Sequence, residues 1–236
     1  MANGYPITDS RSGYNAEKPY EGRDPRLSDA VLVNGEKFGE ITICTGTYDT
    51  KTDGIDLKSG ESTRTGYFLK KFLRSDVNLG EPKVEKYHTW AYIRMTEFYL
   101  GYAEAANEAW GPDGSGSYGM SAVDVLTAIR QRAGVETDYI KEVAAAGKDA
   151  MREFIHNERR IELCFENHRL FDLRRWKDLD HLREMPRAIE FSSETNFVIR
   201  DVRNEARDYK DYMIYGPIPH SECMKFSNLQ QNDGWN

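Results

Sequence analysis

From Trp90 onward the apolar positions fall three and four residues apart. Met95, Phe98, Tyr99, Tyr102, Ala103, Ala106 and Trp110 share one face, which predicts a helix over 91–110, stopped by Gly111-Pro112. The segment Pro112–Met120 is rich in glycine and serine and reads as a flexible loop. Ser121 is a good N-cap, with Asp124 three positions on as a near capping box. The helix it opens, about 122–133, sets Val123, Leu126, Ile129, Arg130 and Ala133 on one stripe and closes at Gly134. A further helix is expected from about Lys148 to Phe165, with Met151, Phe154, Ile155, Ile161 and Phe165 as its apolar face. Residues 169–177 continue as helix or tight turn, and after Pro186 the period dissolves into short segments. A helical pair followed by another helix resembles a helix-turn-helix repeat, yet no 34-residue recurrence is visible.

Residues 1–90 follow a different pattern. Turn formers interrupt them at Asn3-Gly4, Ser12-Gly13, Asn34-Gly35, Asp53-Gly54 and Ser59-Gly60. Between these, Ala30–Val33 and Phe38–Tyr48 have the β-branched and aromatic content of short strands. Residues 49–66 read as a long exposed loop. The expectation is a mainly α protein with irregular, loop-rich segments and short β-strands. An irregular, β-containing part (1–90) and a helical part (91–236) would form one continuous domain.

Composition narrows the function. The 236 residues carry 32 Lys+Arg against 39 Asp+Glu, a net charge of −7. That balance argues against a nucleic-acid binder, which needs a basic face to neutralise phosphates. Aromatics at 12% mark a chain that folds. No apolar run reaches the roughly 18–20 residues of a membrane-spanning helix. Met1–Asp9 has neither the basic nor the apolar region of a signal peptide. Cys44, Cys164 and Cys223 have no metal-ligand spacing, and Cys164 reads as a small buried hydrophobe.

The densest chemistry lies in the helix that begins at Lys148. Counted from Phe154, positions 158, 161, 162 and 165 share a face, so Glu158 and Glu162 lie on or beside the apolar stripe. Buried carboxylates need partners, and Arg94, Arg130, Arg132 and Arg169 are the candidates. An acid/base pair for hydrolysis is the catalytic alternative, but paired arginines lower a carboxylate pKa where a general acid needs it raised. The expected role is a structural ion-pair lattice. Glu85–His88 and Glu153–His156 repeat a Glu-x-x-His string, but the first lies outside the periodic helix and His156 sits on the polar face, so no metal site is assigned. No nucleophile elbow, phosphate loop or dinucleotide fingerprint is present, and neither a catalytic residue nor a cofactor is assigned. Tyr48, Tyr67, Trp90 and Tyr118, in or beside loops, are the candidate ligand contacts. A flat ring covers the C–H face of a sugar while polar neighbours bond its hydroxyls.

Several segments carry a family resemblance. Arg94–Ala105 resembles the Arg-x-x-Glu…Tyr-Ala-Glu-Ala helix of SusD/RagB-like proteins, and Ile129–Gly134 their Arg-x-Arg-Ala-Gly helix end. Glu158–Trp176 is similar to their Glu-Arg-Arg-x-Glu-Leu…Asp-Leu-Arg-Arg-Trp signature, with Asn167 where the family often has Gly. Arg23–Arg26 and the ending Pro217–Pro219…Asn228–Trp235 also match. The resemblance implies a tetratricopeptide-like helical scaffold and a non-catalytic, surface glycan-binding lipoprotein on the extracellular face of the outer membrane. Such a protein hands oligosaccharides or other nutrients to a SusC-like TonB-dependent transporter. The matched motifs belong to the family's C-terminal half, so the chain is expected to be part of a longer polypeptide, touching the membrane only through a lipid anchor outside it. Two other activities stay open: a helical-repeat module that binds protein alone, and a glycoside hydrolase.

Overall fold

A computed structural model describes residues 1–48 and 54–235. The elements run α1 (Arg26–Ala30), β1 (Val31–Leu32), β2 (Lys37–Phe38), β3 (Ile41–Thr42), β4 (Phe68–Leu69), α2 (Met95–Trp110), α3 (Ala122–Arg132), α4 (Asp138–Ala145), α5 (Lys148–Glu162), α6 (Arg169–Trp176), α7 (Leu179–Arg183), β5 (Arg187–Phe191), β6 (Phe197–Asp201) and α8 (His220–Cys223). The fold is thus mainly helical with short antiparallel hairpins, as the spacing predicts.

Helix α2 packs on α3 and α5, and α4 bridges α3 and α5. Their core is Leu100 and Ala103 of α2, Val125, Leu126 and Ile129 of α3, Ile140 of α4, and Met151 and Ile155 of α5. The buried face of α2 keeps Ala103 and Ala106 of the expected stripe but not most of its large residues. Leu100, Ala103, Ala106 and Asn107 are buried, whereas Met95, Phe98, Tyr99 and Trp110 are exposed. Alanines let neighbouring helices approach closely, so the small residues face inward and the bulky ones outward. The helix also starts at Met95 rather than 91, because Arg94 is extended (φ −120°, ψ 150°) with its side chain drawn toward the carboxylates of α5.

Helix α3 opens on a complete capping box. Asp124 N–H donates to Ser121 Oγ at 3.1 Å, and Ser121 N–H to Asp124 Oδ2 at 2.8 Å. Gly134 follows its end at φ +72°. Helix α5 stops at Glu162, three residues short of expectation, and Asn167 takes a left-handed conformation (φ 65°) in the turn before α6. Phe165, assigned to the apolar face, stands exposed beyond that end.

Residues 31–48 hold only the short pairs of β1 with β4 and β2 with β3. Of the loop expected over 49–66, residues 49–53 lie outside the described residues, and 54–66 are turns and bends. The longest hairpin, β5–β6, lies where the helical period had dissolved. Its strand β5 also bonds the loops: Ile189 N–H donates to the Thr65 carbonyl at 2.9 Å and Thr47 N–H to that of Phe191 at 2.8 Å. No helix is long and apolar enough to cross a membrane among the described residues.

Candidate functional site

Glu158 is fully buried and Glu162 nearly so, on the inner face of α5. Arg130 Nε donates to Glu158 Oε2 at 2.8 Å and Arg26 Nη1 to Oε1 at 2.6 Å. The same Arg26 nitrogen reaches Glu162 Oε2 at 3.0 Å, while Arg132 Nη2 and Arg94 Nη1 take Glu162 Oε1 at 2.6 and 3.3 Å. Arg94 continues to Glu166 with Nε–Oε2 at 2.8 Å, and Lys71 joins it at 2.6 Å. Arg26 is itself clamped by Asp24, at 3.0 and 2.7 Å.

Arg169 does not join this cluster. Among the described residues it has no ion pair. The next helix contributes Asp172 instead, which takes Arg159 at 3.0 and 3.1 Å and Arg175 at 2.8 Å. The physical reason is position: Arg169 opens α6, half-buried on the side of Leu170 and Leu173, while Asp172, one turn later, faces α5. Burial and the neighbouring Arg160 charge lower the Arg169 pKa. Arg26, Asp24, Lys71 and Asp172 belong to the clusters although spacing within α5 could not show them. The signal was the Arg23-Asp24-Pro25-Arg26 string, quoted for its resemblance and not for its chemistry.

Chemically the lattice is saturated. Burial raises the Glu166 pKa, and hydrogen bonds from Arg94 and Lys71 more than offset that, leaving it below the ordinary value. Burial and the Arg26 bonds act on Asp24 in the same two directions, with the same net lowering. Both oxygens of Glu158 and of Glu162 accept hydrogen bonds from guanidinium groups, and both side chains are buried. The arrangement joins the N-terminal segment, α2, α3 and α5 without offering an acid or a base.

The candidate ligand rings are in separate places. Tyr67 is half-buried, edge-on to Tyr20 at 6.3 Å, and burial pushes its phenol up. Tyr48 receives a hydrogen bond from Asn34 Nδ2 at 3.3 Å. Trp90 stacks on Phe72 at 4.3 Å with its other side open. Tyr118 is 70% exposed and lies over Trp110, 5.7 Å away, and edge-on to Tyr102 at 6.4 Å. The glycines of this loop make that seat: at Gly116 (φ +53°) an added Cβ would stand 2.6 Å from the Trp110 ring. Trp110, expected in the core, is therefore half-exposed beneath the loop. Tyr102, whose hydroxyl donates to the Met120 carbonyl at 2.6 Å, also lines a depression of about 570 Å3 with Phe98, Glu97 and Glu108.

The Glu-x-x-His strings gather nothing further. His156 stacks on Trp176 at 3.5 Å, and Glu85 and His88 stand exposed. Trp176 Nε1 donates to Glu104 at 2.8 Å beside the Arg175 guanidinium. The cysteines are free and half-buried. Among the described residues no group of three His, Cys, Asp or Glu side chains converges as a metal site.

A helical bundle stitched by buried arginine–carboxylate pairs, with rings on its loops, is the frame of the chain. The chain belongs to the SusD family, whose model matches residues 1–235. It is 28% identical to a SusD-like protein of Bacteroides fragilis, with a TM-score of 0.73 over 100% of this chain and 45% of that one. A SusD-like carbohydrate-binding protein of the same organism gives a TM-score of 0.63 at 23% identity, over 96% of this chain and 45% of that one. Among sequences, SusD-like protein P25 of Formosa agariphila is 30% identical over 161 residues, 64% of this chain and 29% of that protein. The chain therefore spans about a third of the sequence relatives and under half of the solved ones.

Proposed function

We propose that the chain is part of a non-catalytic glycan-binding protein on the outer face of the outer membrane, delivering saccharide to a SusC-like TonB-dependent transporter. Tyr118 over Trp110, with Tyr102 beside them, supports the binding half of this reading. Together they offer a ring face for sugar C–H groups and carboxylates in the adjoining depression for its hydroxyls. Trp90 and Tyr48 are further exposed rings of the same kind. The saturated state of Glu158 and Glu162 supports a carrier rather than a hydrolase. The transporter and the membrane address follow from family membership alone.

Isothermal titration against a panel of polysaccharides tests the reading. The bound glycan is expected to lose about tenfold in affinity with Tyr118→Ala, the loss of one stacked ring. Heat from no glycan at all would refute it, and co-purification with a transporter by a protein indifferent to sugars would favour the protein-only module.

A further inference from the structure

A cavity of about 870 Å3 lies elsewhere, between the N-terminal segment and α4–α5. That is within the range of small-ligand sites. One wall is a row of rings. Tyr5 and Tyr139 are 5.2 Å apart, and Tyr139 and Phe154 5.9 Å. The segment is fastened there by Gly4, at φ +82°, where a Cβ would strike the Glu136 carbonyl oxygen at 2.4 Å. The Gly4 carbonyl accepts from Arg130 at 3.1 Å.

The polar groups of this groove fall into two sets. Arg11 sits over the Tyr5 ring and is committed to Asp9 and Glu142; Arg130 sits over Phe154 and is committed to Glu158; Asp24 is held by Arg26. The second set is uncommitted. Glu153, Asn157 and Arg160 follow one stripe of α5 at i, i+4 and i+7 along the cavity wall. Among the described residues none of the three has a side-chain hydrogen bond or an ion pair. Arg23 donates to the Pro19 carbonyl at 2.8 Å, lies 5.8 Å from the Tyr14 ring and forms no ion pair among the described residues. With the paired charges cancelled, two guanidiniums and one carboxylate remain to meet a ligand.

We infer that the juxtaposition of the Tyr5–Tyr139–Phe154 ring row with the uncommitted Arg23, Arg160 and Asn157 makes this groove a binding site for saccharides carrying a carboxylate or a sulfate. The inference rests on the glycan-binding reading above and adds a second site with its own ligand class. Rings take the apolar face of a sugar, and Asn157 and Glu153 take its hydroxyls. A neutral sugar needs no more than these. An unpaired arginine on a concave, ring-lined wall gains most from an anion that it can clasp with two parallel hydrogen bonds.

Titration of the intact protein with two matched pairs tests this: oligogalacturonate against its methyl ester, and a sulfated galactan against its desulfated form. The acidic member of at least one pair is expected to bind about tenfold tighter, one charge-assisted hydrogen bond's worth. The gap should narrow with added salt, and Arg160→Gln should abolish it. Arg160 is exposed and makes no side-chain hydrogen bond or ion pair among the described residues, so the melting temperature of that variant reports whether its fold is intact. Equal affinity within both pairs, or a preference that survives both Arg160→Gln and Arg23→Gln, overturns the acidic site while leaving glycan binding in place. Displacement of the saccharide by equimolar inorganic sulfate shows a bare anion hole and also overturns it. Heat from neither acidic nor neutral sugars removes the glycan-binding reading and this inference together.

Discussion

Removing the fully buried Glu158 carboxylate takes from Arg130 its one carboxylate partner among the described residues, at 2.8 Å, and from Arg26 one of three, at 2.6 Å. Glu158→Ala is therefore expected to lower unfolding free energy by about 3–5 kcal/mol, read from the urea midpoint. Glu108 also binds an arginine, Arg152, but at the surface, and Glu108→Ala should cost no more than about 1 kcal/mol. A similar loss for both would show that burial does not set the worth of these pairs. The carboxylate side of the lattice was readable, because counting from Phe154 sets Glu158 and Glu162 on the buried face. The cation side was readable only in part. Arg26 lies 132 positions from Glu158, and no period within a helix reports a partner at that separation. Arg169 was the nearest candidate in sequence, and it starts a helix whose inward position belongs to Asp172.

At the scale of elements, spacing located α2, α3 and α5, the first two marked by a cap or a breaker, and left α6 open between a helix and a tight turn. It missed α4, whose eight residues carry Tyr139, Ile140 and Val143 for only two turns. It missed β5–β6 because Ser192–Asn196 lacks a turn glycine and β5 is also bonded by loops at Thr47 and Thr65. On α2 the size of a side chain is a poor sign of burial, since Ala103 and Ala106 face inward while Met95, Phe98, Tyr99 and Trp110 face outward. Leu100→Ala is expected to cost about 2–5 kcal/mol, whereas Phe98→Ser, at a residue 63% exposed, should stay within about 0.5 kcal/mol. Reversal of that order in thermal melts would restore the aromatic stripe as the core. Ser121→Ala removes the acceptor for Asp124 N–H and should destabilise α3 by about 1 kcal/mol. Ser121→Asn, which can still cap, should recover most of it. The groove was hidden for the same reasons as α4, since two of its three rings lie on α4 and in the unpatterned start of the chain.

The lattice ties distant parts of the molecule into one unit, so the whole protein should fail when its carboxylates are protonated. Arginine and lysine partners outweigh burial at Glu166 and Asp24, and those of Glu104, Arg175 and the Trp176 indole, do the same; all three are held below their ordinary values. At Glu108 the Arg152 bonds bring the value from 4.5 to about 2. A carboxylate whose pKa is depressed by folding stabilises the native state above its unfolded value, and that contribution is lost as pH falls through the folded one. The melting temperature should therefore be level from neutral pH to about 5 and fall steadily below that, as the unfolded chain takes up protons that the lattice refuses. General charge repulsion also grows in acid, since 32 Lys and Arg then face few anions. Salt separates the two causes. At about 0.5 M the repulsion between exposed charges is largely screened, while the contacts of the half-buried Glu166, Asp24 and Glu104 are screened less. A fall that persists in salt assigns acid lability to the interior carboxylates; a melting temperature restored by salt assigns it to the surface and leaves the lattice as an inert bystander.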